Sequence, residues 1–334
     1  NAPLLMNPGE IIVGEGTTFS LPLLASPDTV LLPGTGKPGG RPNFDNITGV
    51  PVTLANDVTF AGFTISSTTN GPAIFGNGIT NARLEDIDIQ DVNNGNGIQF
   101  LDSHGRITLD NVNVLRSNPA DPNTGADLDA FRVEGGDATI VYTNSRIENT
   151  LGRGVRITNA GGVVDLRSTT VNSRFTVTAN NDDGVIVQNS SADVIFGPLE
   201  LQSGTIDLLG ITGDVTFAGP VQLDNSQPNP ENAAGFPIQV NGSTGAIVFN
   251  PGATVVINNR PDYAIDLRNI SGSIRFHDDI TIEGASGLGV FDGGLIWQQN
   301  SGDFIMDGLF SVDSAAEAIL IGDAAGVLSN LDGS

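Results

Sequence analysis

Two stretches of this chain, Ile238–Phe249 and Ile265–Phe276, spell the same phrase. An alternating apolar strand runs into an Asn/Ser/Gly turn, and a second alternating strand follows. Imperfect copies of the phrase recur along most of the sequence, which is the signature of a solenoid whose units bury their apolar faces only by stacking on one another. Apolar residues alternate with a period of two in almost every window, and no segment sustains the 3.6-residue period of a helix. The chain therefore reads as all-β.

One frame aligns the copies. An anchor residue is followed by an apolar partner two positions on, a turn residue, often Gly, at the seventh, and another apolar residue at the ninth. Ile98/Phe100, Phe131/Val133, Val155/Ile157, Val185/Val187, Ile206/Leu208, Ile238/Val240, Ile265/Leu267, Leu295/Trp297 and Ile319/Ile321 obey it, and Phe75 anchors an earlier, less regular unit. A second strand repeats as Val194/Phe196, Val215/Phe217, Ile247/Phe249, Ile274/Phe276 and Phe304/Met306. A third repeats as Val221/Leu223, Val255/Ile257, Ile280/Ile282 and Phe310/Val312. Because strand side chains alternate between faces, these columns point into one interior. Trp297 belongs to that interior. Three short strands per turn describe a single-stranded parallel β-helix of roughly ten coils, a rod about 45–50 Å long at the ordinary strand spacing.

The anchor spacing locates insertions. Thirty-three residues separate Ile98 from Phe131, against 24 between Phe131 and Val155. In each long unit the excess lies just before the next anchor: Ser117–Asp129, Phe175–Asp183, Asn225–Gly235 and Gly284–Gly294. The insertions thus stack along one edge, and loops gathered on one face of a solenoid commonly mark its binding side.

Composition narrows the chemistry. With 14 basic against 38 acidic residues the formal charge is −24, which excludes nucleic acid as a partner. The absence of cysteine removes disulfides, thiolate catalysis and Cys-based zinc sites together. No apolar run is long enough to span a membrane as a helix. The chain opens Asn1-Ala-Pro, without an initiator Met or a signal peptide, and so reads as a processed product or an excerpt of a longer protein.

Several phrases resemble a known family. Asp28-Thr-Val-Leu-Leu-Pro-Gly-Thr35, Val58-Thr-Phe-Ala-Gly-Phe-Thr-Ile65 and Gly78-Ile-Thr-Asn-Ala-Arg-Leu-Glu-Asp-Ile-Asp-Ile89 look like the first coils of right-handed parallel β-helix proteins of the pectate-lyase-like superfamily. The Gly-Asp-Val-Thr-Phe and Gly-Ser-Ile-Arg-Phe phrases are similar to the stalks of bacterial surface and autotransporter-type adhesins. The resemblance implies the fold and a role between polysaccharide lyase or hydrolase and non-catalytic adhesive rod. Asp182-Asp183-Gly is also similar to the paired aspartates of polygalacturonases in that superfamily, but the Gly-His-Gly and Arg-Ile-Lys of those enzymes are missing.

Candidate site residues follow from the frame. Asp129, Arg153 and Asp183 each stand two residues before an anchor on successive coils. Two carboxylates two rungs apart would lie about 9–10 Å from one another, close to the separation used by inverting glycosidases. Arg153 between them is expected to depress both pKa values, which is unhelpful in a general acid, so a charge ladder on a turn fits better than an acid/base pair. A lyase would instead use calcium on Asp121, Asp127 and Asp129 with an arginine base. Arg132 and Arg156 project outward from adjacent coils for that role, and hard oxygen ligands on a flexible loop suit calcium. Tyr263 and Phe291 are the aromatic side chains expected outside the core, available to stack on sugar rings. His104 and His277 sit in different coils with no second ligand spaced beside either. Asn159, Asn189 and Asn269 share one turn position, where Asn tolerates left-handed backbone.

These readings converge on an N-terminal capping region over 1–55 and a right-handed parallel β-helix over 56–334. No cap is visible after Gly326, so the last coil offers an edge to a partner or to further repeats. The expected role is a secreted or bacterial cell-surface rod, adhesive or structural, with glycans or surface proteins as partners. A polysaccharide-active enzyme working through Asp129, Asp182, Asp183 and Arg153, with or without calcium, and a pure spacer are the competing expectations.

Overall fold

The computed structural model describes residues 3–14, 20–22, 29–31, 40–66, 70–92, 95–116, 129–149, 153–174, 183–202, 204–224, 236–260, 264–284, 294–313 and 319–322. Among them all regular structure is β. Two large sheets, all parallel, run the length of the molecule, one of them twelve-stranded, and a small antiparallel pair, Ser20–Pro22 with Thr29–Leu31, stands apart. This is the architecture of a β-solenoid.

The anchors stack as the repeat frame requires. Ile98 pairs with Phe131, Phe131 with Val155, and the column continues through Val185, Ile206, Ile238, Ile265 and Leu295 to Ile319. These strands form the twelve-stranded sheet. The second and third strands of each unit form the other: Val194 through Val215, Ile247 and Ile274 to Phe304, and Val221 through Val255 and Ile280 to Phe310. Unpaired backbone groups are costly in an interior, and parallel stacking of whole coils satisfies them strand by strand.

One anchor is corrected. Ile74, not Phe75, pairs with Ile98; Phe75 pairs with the outward Gln99 and is only half-buried. The partner position two residues after Ile74 is Gly76, and the Phe100 ring of the next coil and the Ile79 side chain occupy the space its side chain would need. With no apolar residue there, the alternation read one residue late.

Turns are as regular as strands. The residue four after each anchor has positive φ in every unit from Ile74 onward for which it is described: Gly78, Asp102, Gly135, Asn159, Asn189, Gly210, Gly242, Asn269 and Gln299. Gly, Asn and Asp tolerate this left-handed conformation best, which accounts for the expected Asn positions. Three residues further on, Gly213, Gly245, Gly272 and Gly302 stack in a column where each backbone lies directly against the carbonyl of the coil before it.

The interior is apolar and laid out in columns. Phe196, Phe217, Phe249 and Phe276 stack nearly face to face, with centroids 5.4, 4.3 and 4.2 Å apart in succession, and all four are fully buried. Trp297 packs against this core beside Phe304 at 5.5 Å, on the inside as expected, though half-buried because it lies in the last coils.

The pairings also fix the strands between which the insertions begin and end. Residues 117–128, 175–182, 225–235 and 285–293 all fall between a third strand and the next anchor strand, so their ends emerge along one side of the twelve-stranded sheet.

Candidate functional site

The strands of the twelve-stranded sheet alternate between the interior and an outward row. From Gln99 that row reads Arg132, Arg156, Ile186, Asp207, Gln239, Asp266 and Ile296 on successive coils. Outward residues of a strand ordinarily meet water. Here Ile186, Asp207, Asp266 and Ile296 are all less than a tenth exposed, and Arg132 and Arg156 are half-buried. The row after Gln99 is thus a recessed strip of two arginines, two carboxylates, an amide and two isoleucines, spaced by the sheet at about 4.8 Å per rung.

Asp129 lies beside this strip, not on an exposed turn. Its backbone is tied into the stack: its N–H donates to Asn96 Oδ1 at 2.8 Å, and its carbonyl accepts from Gly97 N at 2.9 Å. Its side chain is completely buried. Arg153, itself buried and one coil further on, reaches Asp129 Oδ1 with Nη1 at 3.3 Å. Arg132 Nη1 stands 3.9 Å from Oδ2, while its Nη2 holds Glu134 at 2.7 Å. Oδ2 of Asp129 and Nε of Arg132 are buried without a hydrogen bond.

Arg153 lowers the pKa of Asp129 as expected, but the net depression expected from it is overturned. Burial raises the carboxyl pKa above the ordinary value, and this outweighs the opposing attraction of Arg153, Arg156 and Arg132. Both arginine contacts to the carboxylate are too long or too indirect to replace the water it has lost. Asp266 behaves alike: burial raises its pKa although Arg268 Nε donates to it at 2.6 Å. Asp207 accepts from Thr205 Oγ1 at 3.1 Å.

Because the folded-state pKa of Asp129 is raised, its acid form is the one the fold favours. Its contribution to stability is fully present below the unfolded value of about 3.9 and is lost as pH rises through the raised folded value. We therefore expect Asp129→Asn to be at least as stable as the wild type at neutral pH, and the advantage of the variant to shrink on acidification. Melting temperatures of both proteins across the acidic range would show it. A variant that loses ground as the pH rises would mean that the arginines dominate.

The other candidate residues divide. Arg132 and Arg156 pair in register as expected, on the outward row. The backbone of Asp183 is described and is paired irregularly, with a shift between Asp183 and Val185 against the following strand. Its side chain, together with Asp121, Asp127, Asp182, Tyr263, Phe291 and everything after Gly322, lies outside the described residues. Asp129 faces arginines, and among the described residues no group of three acidic or histidine side chains is placed to hold a metal ion. His104 and His277 pair separately with Asp137 and Asp307.

Asp207 and Asp266 were not singled out from the sequence. Both stand one residue after an anchor, the same place in the repeat as Arg132 and Arg156. An outward-row position carrying charges of both signs was the available signal.

No family model, curated protein or solved structure matches this chain.

Proposed function

We propose that the chain is a right-handed, pectate-lyase-like β-helix of roughly ten coils that serves outside a bacterial cell or on its surface as a non-catalytic rod, binding glycans along its loop-bearing side. The observation that carries this reading is the outward row of the twelve-stranded sheet, where Arg132 and Arg156 stand in register and, with Gln239 further along, keep part of their surface open to solvent. Two guanidinium groups in register and an amide on the same row suit an extended oligosaccharide, whose carboxylate and hydroxyl oxygens can accept from them. Loops set on a rigid scaffold are the usual place for such recognition. The burial of Asp129 speaks for binding over catalysis, because a general acid must reach the bond it protonates.

A glycan array and a set of polysaccharide depolymerisation assays test this together. Binding without bond cleavage is expected, and Arg132→Ala with Arg156→Ala should weaken it by about tenfold or more, the loss of one to two charged hydrogen bonds. Cleavage that disappears in Asp129→Asn with Asp183→Asn would overturn the non-catalytic role. Blank results in both assays would leave a spacer.

A further inference from the structure

The half-buried apolar residues that flank the core lie mostly at the two ends of the solenoid. At the N-terminal end they are Leu4, Ile12 and Phe44; at the C-terminal end they include Trp297, Phe304, Met306, Phe310 and Val312. Ile319 is exposed over 37% of its surface although it occupies an anchor position. Leu295, Trp297, Phe304, Ile319 and Ile321 also line a cavity of about 310 Å³ at this end.

The two ends belong to the same columns. Leu4 opens the anchor column, pairing with Val52, and Ile319 closes it. Ile12 pairs with Phe60 and opens the column that runs through the stacked phenylalanines to Met306. Phe44 pairs with Ile65 and opens the column that ends at Phe310. Among the described residues no strand pairs on the far side of Asp303–Met306 or Phe310–Val312, nor on the near side of Ile11–Val13 or Asn43–Asp45.

We propose that the C-terminal face is a docking surface for the N-terminal face of a second copy of this chain. The operation that stacks one coil on the next would then place Leu4 over Ile319, Ile12 over Met306 and Phe44 over Phe310. All three apolar columns would continue, and the open strand edges would pair. Such an interface is heterologous, so it does not close on itself, and it extends rods end to end. Carboxylates border both faces, Glu10 and Asp45 at one and Asp303 and Asp313 at the other. Association therefore strengthens with salt, as the screening length falls to about 3 Å at 1 M. The proposal does not depend on glycan binding.

Sedimentation velocity of the whole chain tests it. The mass should rise with protein concentration, and rise further at high salt, through dimers to longer species. Leu4→Lys blocks one end and Ile319→Lys the other; each alone should sediment as a monomer with its circular dichroism unchanged. An equimolar mixture of the two variants should form dimers and stop there, since each partner keeps one working end. A wild type that stays monomeric at high salt overturns the proposal, whether its end is covered by other residues of the chain or binds a different partner. So do single-end variants that still polymerise, and a mixture that grows beyond dimers. Should either variant misfold, Met306→Gln at the C-terminal face and Ile12→Gln at the N-terminal face provide milder blocks for the same mixing experiment.

Discussion

Gly245→Ala should destabilise the protein by at least the upper end of the roughly 1–3 kcal/mol that an extra methyl group costs in a packed interior. The added Cβ would overlap the carbonyl oxygen of Gly213 on the preceding coil. A flexible side chain could move aside; a backbone carbonyl held in a parallel stack cannot. Gly272→Ala and Gly302→Ala meet the same obstacle, against Gly245 and Gly272 respectively. The control is Gly161→Ala. That residue lies in a similar turn, but its added Cβ would meet Gly136 O at 3.4 Å, an ordinary contact, and should be tolerated. Urea unfolding of these variants reads the difference. If Gly245→Ala proves as mild as Gly161→Ala, the coils can separate locally, and the glycine column has been read too rigidly.

Phe249→Ala is expected to cost about 3–5 kcal/mol, the range for deleting a buried phenyl ring where the surroundings cannot collapse. Its ring lies between Phe217 and Phe276, 4.3 and 4.2 Å away by centroid. Stacked coils above and below hold those neighbours in place, so the vacated space cannot close from either side. Phe249→Leu should lose less than half as much. Because each coil contacts only its neighbours, the damage should also be local: hydrogen exchange should rise in the flanking coils and hardly change near Phe60. A uniform rise along the molecule would show that the solenoid unfolds as one unit.

What was readable from the residues is the part governed by alternation. Anchor, second and third columns stack as the period-two pattern demands, because a slip by one residue would turn a whole strand's apolar set outward. The same logic explains the one misplaced anchor: at Ile74 the second apolar position is Gly76, and Phe100 supplies the missing bulk from the neighbouring coil. No pattern within one strand carries that information.

The site was less legible. Asp129 stands at the end of an insertion, where a charged residue normally meets water, yet it is sealed among arginines. Which outward residues become buried depends on contacts across coils and is not written in any one of them. Asp207 and Asp266 escaped notice for that reason. Arg132 and Arg156 were found because register alone brings them together.

The insertions share a further property. Ile98 pairs with Phe131 across 33 residues as squarely as Phe131 pairs with Val155 across 24. The stacking of anchors is therefore indifferent to how much chain is spent between them. The junction before each anchor works as a port: segments of different length and composition can be exchanged there while the columns behind them keep their spacing. The segments on one side of this solenoid are free to change without renegotiating its stability.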